Sequence, residues 1–332
     1  MKKIAIIGTG PAGIEAAATI ATQHIDVDIY EQQSLPLSNL YDKAFLFPNF
    51  ADAHEVADRM ALRLDNPYIH QHTESKITHL EKQPNGQWLV NGKSYDQVLL
   101  ATGYKTFDAH RKEELGYGIY RGVHTSIEME KMLREKHIVN SNGDVPKQIA
   151  FLQCVGSRDE KSGNLYCSKL CCVTAVKQAI EVRKLLPDTE VFIFYMDLRM
   201  WGQHYEELYR EAQQEYGVRF IRGRISEASG TYDGRVQIKS EDTLMGLPLR
   251  ITIDLLVLMV GMEPSEGTQM LSHQCQICGD YGFASSIDPH LDDNRTVHRG
   301  LYVAGACKRP MTLTDAVNDG RSAAVAMMAE GE

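Results

Sequence analysis

The chain has 332 residues, 43 % of them hydrophobic, which is more than one small core needs and natural for two domains. Its net charge of −9 is spread without a long run of one sign, which argues against nucleic acid, whose phosphates ask for a basic face. No stretch approaches the roughly 18 apolar residues of a membrane span, and the apolar run Ile4–Ile7 is broken at once by Gly8, Gly10, Pro11 and Gly13, so no secretory signal is expected and the expected location is cytoplasmic.

Residues 3–31 read as strand, glycine turn, helix and strand. Lys3–Ile7 is a short apolar strand, Pro11–Thr22 an alanine-rich helix spaced to pack on a sheet, and Val27–Tyr30 a second strand ending at Glu31. Residues 34–66, with prolines at 36 and 48, read as a loop and a helical segment lining a pocket. From Ile69 to Thr102 short alternating runs flank Asn85-Gly86 and Asn91-Gly92, the dipeptides that suit the positive φ angles of a type I′ turn, so a β-meander is expected. It leads into the apolar strand Gln97–Ala101. The turn-rich stretch 140–147 marks a domain boundary. Beyond it come the strand Ile149–Gln153, an amphipathic helix Val173–Leu186, the strand Val191–Tyr195, the helix Glu206–Tyr216, and the strands Val218–Ile221 and Leu255–Val260. The chain returns through Gly300–Gly305 and ends in a helix from Leu313 to about Met328. The expected fold is α/β with two Rossmann-like domains: 1–145 and 263–332 form one discontinuous domain, 146–262 the other.

Gly8-Thr9-Gly10-Pro11-Ala12-Gly13 fits G-x-G-x-x-G. Gly8 allows the tight turn, Gly10 lets backbone approach a pyrophosphate, and Gly13 lets the helix pack on the sheet. The helix N-terminus then faces the phosphates with unsatisfied N–H groups. Glu31, at the end of the next strand, is placed for a ribose hydroxyl. Two further segments favour FAD over NAD. Ala101-Thr102-Gly103 resembles the second flavoprotein fingerprint. Thr296–Ala306 resembles the terminal motif that contacts the FAD ribityl-phosphate, although Ala306, after Gly305, stands where an Asp is usual. The helix entered through Thr312, Leu313 and Thr314 is expected to aim its first amides at the flavin edge, and Thr312 or Thr314 would also cap it. Gln32 and Ile77 complete the expected flavin contacts. The layout is that of the two-dinucleotide-binding-domain flavoproteins.

Seven cysteines without an export signal point to metal or redox chemistry rather than disulfides. Four fall between positions 154 and 172: Cys154 at a strand end, then Cys167, Cys171 and Cys172 where a helix begins, with 167 and 171 sharing a face. Four thiolates suit an iron–sulfur cluster or zinc, though zinc knuckles are usually paired C-x₂₋₄-C units. A second dinucleotide motif would lie here, yet Cys154-Val155-Gly156-Ser157-Arg158 keeps only Gly156, so no nicotinamide nucleotide is expected. Cys275 and Cys278, with two residues between them, read as loop thiols; half of a metal site is a second reading, and the rival one is the redox dithiol of a free-standing NAD(P)H-dependent disulfide reductase.

Residues 149–228, from Ile149-Ala-Phe-Leu-Gln-Cys154 through Tyr166-Cys-Ser-Lys-Leu-Cys-Cys172 to Ala228, closely resemble the A subunit of heterodisulfide reductase, a thioredoxin-reductase-like flavoprotein family. The resemblance is weaker over 1–31, 96–103 and 254–331. It implies FAD and a [4Fe–4S] cluster held by Cys154, Cys167, Cys171 and Cys172. It also implies an oxidoreductase whose chemistry lies in its cofactors rather than in a catalytic side chain, a homodimer, and B- and C-type partner subunits. The ferredoxin-like C-x-x-C-x-x-C-x-x-x-C run of the methanogen type is missing. The expectation is therefore a short form, similar to the A subunit of the heterodisulfide-reductase-like complex of sulfur oxidisers, working in cytoplasmic sulfur oxidation without nucleic acid or membrane.

Overall fold

The computed structural model describes residues 2–330. It divides into two compact units, one of Met1–Tyr41, His54–Lys105 and Met262–Glu332, the other of Asp42–Ala53 and Thr106–Gly261.

The first unit opens with β1 (Ile4–Ile7), whose four side chains are all buried, as the centre of a parallel sheet demands. Next come α1 (Pro11–Ala21), with Pro11 in its first turn, and β2 (Val27–Tyr30). Helix α2 (Ala53–Ala61) leads to β3 (Ile69–His72). This strand is not part of the meander: Ile69 pairs with Val27 and extends the parallel sheet. The meander itself is β4 (Leu80–Lys82), β5 (Trp88–Val90) and β6 (Lys93–Tyr95), antiparallel throughout. Its second turn has positive φ at both Asn91 (43°) and Gly92 (88°), as a type I′ turn requires, whereas in the first only Gly86 (89°) is positive. Strand β7 (Gln97–Leu100) follows, wholly buried.

The second unit contains β8 (Val123–Thr125), α3 (Ser126–Arg134), β9 (Gln148–Val155), α4 (Cys171–Leu185), β10 (Glu190–Tyr195), α5 (Tyr205–Gln214) and β11 (Arg219–Arg222). An antiparallel insert, β12 (Ile225–Gly230), β13 (Val236–Asp242) and β14 (Leu247–Ile253), precedes β15 (Leu255–Val260). The parallel sheet runs β8-β15-β9-β10-β11. Because Val123–Thr125 pairs with Leu256–Leu258, the boundary lies near 105 rather than at 145. Residues 140–147 form a turn inside the unit, closed by the Gly143 amide on the Asn140 carbonyl. The unit also claims 42–53: the Ala44 amide donates to Glu130 (2.9 Å) and the Phe45 carbonyl accepts from Lys177 (2.9 Å). Lys177 directs its other donors at both Glu130 oxygens, 2.7 and 2.8 Å away. Glu181 lies 3.1 Å from the same ammonium, yet neither of its carboxylate oxygens, both buried, has a hydrogen-bond partner. Burial pushes Glu181 up to about 7 even though Lys177 pulls the other way.

The chain then completes the first unit with α6 (Glu266–Gln274), β16 (Leu301–Val303) and α7 (Leu313–Ala329). The finished sheet runs β16-β7-β1-β2-β3. Helix α7 lies hard against α1: a Cβ on Gly320 would come 2.2 Å from the Ala12 carbonyl oxygen.

Candidate functional site

In the first unit the three glycines of the turn meet different surroundings. Gly8 has φ +111°, and a Cβ there would sit 2.3 Å from the Ala101 carbonyl oxygen. A Cβ on Gly13 would sit 2.0 Å from the Gly8 carbonyl oxygen, so only glycine lets α1 rest on the strand. Around Gly10 nothing lies within 4 Å of that position. Gly10 is also the N-cap of α1 and offers no side chain to the first amides. An open approach to uncapped amides at a helix start is the physical requirement for a phosphate.

Glu31 closes β2 as expected. Its carboxylate accepts from the Thr9 hydroxyl (2.5 Å) and amide (3.2 Å) and from the Gln33 amide (2.9 Å). Thr9 is not among the contacts expected from the sequence; its place inside the glycine turn, opposite the acid, is the available signal. Gln32 is exposed, and Ile77 is buried in the unit's core. Ala101 is buried, while Thr102 and Gly103 are tied to the start of α6: the Thr102 and Thr268 hydroxyls are 2.6 Å apart, and Thr268 donates to the Gly103 carbonyl (2.9 Å).

Gly305 has φ +79°, and its amide donates to Asp319 of α7 (2.6 Å). The acid absent at Ala306 thus has a neighbour reaching in from the helix. Lys308, almost wholly buried, joins Asp319 (2.8 Å) to Asp293 (2.8 Å). Burial works to raise the Asp293 carboxyl, but the Arg309 and Lys308 donors outweigh it and hold it at about 2. At α7 the Thr312 hydroxyl accepts the Asp315 amide (3.0 Å) and Asp315 returns the bond to the Thr312 amide (3.2 Å), a reciprocal cap. Leu313 then opens the helix, and Thr314 is exposed and takes no part in the cap.

In the second unit Cys154 stands at the end of β9 with φ +61°, where the register against β15 breaks between Leu152 and Val155. That left-handed residue turns the strand end, and the Cys154 and Cys171 sulfurs lie 3.9 Å apart. Helix α4 begins at Cys171, so Cys167 lies in the preceding loop and does not share a helix face with it. Cys154, Cys171 and Cys172 are buried; Cys167 is partly exposed. Two sulfurs accept backbone N–H bonds, Cys167 from Lys169 (3.3 Å) and Cys172 from Arg199 (3.5 Å). Neither donor was legible in the sequence, since both depend on loop conformation. The Arg158 guanidinium, forked onto Asp197, completes the surroundings.

The thiols share their protons unevenly. The Cys171 thiol hydrogen bond, helped by Arg158, draws Cys154 down to about 7 against its burial. Cys172 is lowered by Cys171 and by the Arg199 amide, while Cys171, between two partners and fully buried, is raised well above the ordinary value. Four thiolates together need a compensating cationic group. Among the described residues no group of three or more His, Cys, Asp or Glu is arranged to hold a metal ion. Cysteine thiolates are the usual ligands of iron–sulfur clusters, and here Cys154 meets Cys171 while backbone N–H groups reach the sulfurs of Cys167 and Cys172.

The one glycine kept from a second dinucleotide motif has a packing role. A Cβ on Gly156 (φ +74°) would strike the Phe107 ring at 2.1 Å, so an aromatic side chain covers it. The remaining three cysteines belong to the first unit. Cys275 is buried and pushed up to about 12 by that burial; Cys278 is partly exposed, 3.5 Å from His273 Nε2; Cys307, fully buried, is likewise pushed up to about 12. All seven cysteines are free thiols.

Residues 2–140 match the pyridine nucleotide-disulphide oxidoreductase family. The chain is 39 % identical over 234 residues to the A subunit of the H(2):CoB-CoM heterodisulfide,ferredoxin reductase of Methanothermobacter thermautotrophicus, a match covering 68 % of this chain and 36 % of that protein. It is 40 % identical over 248 residues to the iron-sulfur A subunit of the CoB--CoM heterodisulfide reductase of Methanocaldococcus jannaschii, covering 71 % of this chain and 37 % of that one. The chain thus spans little more than a third of these relatives' length. Among solved structures it is similar to thioredoxin reductase of Lactococcus lactis, with a TM-score of 0.70, 19 % identity, and coverage of 99 % of this chain and 98 % of that one. That likeness establishes the fold, α/β with two Rossmann-like units.

Proposed function

Since the chain belongs to the family of the heterodisulfide reductase A subunit, we propose that it is an electron-transfer oxidoreductase subunit holding FAD in its first unit and a [4Fe–4S] cluster on Cys154, Cys167, Cys171 and Cys172 in its second. The observation that carries this reading is the meeting of the strand-end Cys154 with the helix-start Cys171, with backbone amides donating to the sulfurs of Cys167 and Cys172. When bound, FAD supplies the exchange between electron pairs and single electrons, and the cluster supplies single-electron steps.

The chain's own part is placement. The α1 amides and the open face at Gly10 receive the pyrophosphate, Glu31 takes a ribose hydroxyl, and the 101–103 and 305–306 turns border the rest. The Lys169 and Arg199 amides steady the charge on two sulfurs. From the family we further propose B- and C-type partner subunits, a homodimer, and a role in cytoplasmic sulfur oxidation. No helix among the described residues is long and apolar enough to cross a membrane.

The rival dithiol reductase loses ground on two observations. Cys275, pushed up to about 12, is a poor nucleophile, and Phe107 occupies the ground beside Gly156 where a nicotinamide phosphate would be cradled. Anaerobic purification with flavin, iron and sulfide analysis tests the proposal. About four irons and one FAD per chain are expected, with iron lost and flavin kept in Cys172→Ser. Flavin without iron, unchanged by that substitution, would overturn it.

A further inference from the structure

Within the second unit, residues 42–53 form a strap in which Phe45–Leu46 pairs antiparallel with Ala51–Asp52. Helices α3 and α4 hold it down. The Ala44 amide donates to Glu130 (2.9 Å), the Arg134 guanidinium to the Lys43 carbonyl (2.9 Å), and Lys177 to the Phe45 carbonyl (2.9 Å). The Lys184 ammonium sits over the Phe50 ring, 4.0 Å from its centre, and Phe47 meets Tyr205 of α5 edge to face.

Two of these fastenings end on one buried group of charges. Lys177 and Glu130 are each 1 % exposed and Glu181 is 5 % exposed. An ammonium has three donors. Lys177 directs them at the Phe45 carbonyl and at the two Glu130 oxygens. The Ala44 amide and the side-chain amide of Gln178 (2.7 Å) complete the Glu130 carboxylate. No donor is left for Glu181, whose two oxygens lie buried without a hydrogen-bond partner among the described residues, although the ammonium is 3.1 Å away. A carboxyl in that position costs far more charged than protonated, since a buried anion needs donors. The charged groups that bear on it are Lys177 and Lys184 of its own helix and Glu130 of α3, while Lys43 of the strap acts on Glu130. Helix α5 and strands β9, β10 and β15 bring apolar side chains to this core, among them Leu208, Ile149, Val191 and Val257. Burial accordingly holds Glu181 up at about 7.

We propose that Lys177, Glu130 and Glu181 form a latch that lets go of the strap when Glu181 loses its proton. The proton leaves to water, and the new carboxylate takes a donor from Lys177. The donor it takes is the one on the Phe45 carbonyl, because a charge-assisted bond to Glu130 is stronger than one to a neutral carbonyl. While Glu181 is neutral, Lys177 is shared between Glu130 and the strap, and the strap is fastened. Once Glu181 is ionised, two carboxylates compete for one ammonium, and the strap lifts from the core on which Phe45, Phe47 and Phe50 rest. The fastened state holds a proton that the released state gives up, so it is favoured at lower pH.

Hydrogen–deuterium exchange of the intact chain, read by mass spectrometry on peptides from 42–53 and from β9 and corrected for the intrinsic pH dependence of exchange, tests the latch. Between about pH 6 and about pH 8.5 the corrected exchange of the 42–53 peptide should rise roughly tenfold while β9 stays protected. Glu181→Gln keeps the shape and cannot ionise, so it should hold the strap peptide within about twofold over the same range. Glu181→Met should do the same, which separates loss of the charge from any new hydrogen bond of the glutamine. A strap peptide whose corrected exchange is level in the parent chain, or rises as much in both variants, would overturn the latch. So would a rise shared by β9, since that is loosening of the whole unit rather than of the strap.

Discussion

At the scale of single residues, glycines at neighbouring positions carry different burdens. Gly10→Ala places a methyl in open space, so the chain should fold with unchanged stability and lose flavin affinity, because that space is where the pyrophosphate approaches. Gly13→Ala drives a methyl toward the Gly8 carbonyl and should cost about 1–3 kcal/mol of stability. Chemical denaturation and flavin titration of the two variants separate these effects, and equal loss of stability in both would refute the distinction. Glu181 gives a pH test. Burial holds it at about 7 against an ordinary 4.5, so between those values the folded chain keeps a proton that the unfolded chain has released. Its share of stability therefore falls as pH rises from about 4.5 through about 7, and is level above that range. Between pH 5 and pH 8 the parent chain should lose about 2–3 kcal/mol more than Glu181→Gln, whereas parallel profiles would contradict the protonated carboxyl. The sequence disclosed the glycines and the four cysteines, whose roles are set by residue type. It hid the positive φ of Cys154 and the amides of Lys169 and Arg199, because a backbone's direction in a loop leaves no compositional trace.

At the scale of elements, α1 and α7 act as a pair. Gly320 lets α7 approach the backbone of Ala12, and Asp319, one residue earlier, receives the Gly305 amide. Gly320→Ala should therefore push the helices apart, lowering stability by about 1–3 kcal/mol and weakening flavin retention together, as a thermal melt and a flavin-release assay would show. Loss of stability with flavin affinity intact would mean that the helix contact does not shape the site. The capping box of α3 offers a contrast. Thr125 accepts the Glu128 amide and Glu128 returns a bond to the Thr125 amide, so Thr125→Ala should cost about 1 kcal/mol while iron and flavin are retained. Periodicity disclosed β1, α1, α4, β10, β15 and α7, the long or wholly buried elements. It misread Ile69–His72 as meander, since a four-residue edge strand carries the same alternation whichever sheet it joins. It placed 167 on a helix face, since α4 is preceded by an irregular loop that keeps the same residue spacing.

At the scale of the whole molecule, both Rossmann-like units were legible because their central strands are unbroken apolar runs. The domain border was not. A turn-rich stretch resembles a linker whether or not the strand before it pairs with the sheet after it, and Val123–Thr125 does so pair. Likewise, nothing in the composition of 42–53 announces that it packs into the second unit through Glu130 and Lys177. In the proposed reading one unit binds a flavin while the other has exchanged its nucleotide cradle for a four-cysteine cluster. Electron paramagnetic resonance of the anaerobically purified, dithionite-reduced chain, quantified against its flavin, tests it most directly. A reduced [4Fe–4S] signal of about one spin per FAD is expected, abolished in Cys154→Ser with flavin content unchanged. A flavin-loaded chain with no such signal, or a signal that survives Cys154→Ser, would contradict it.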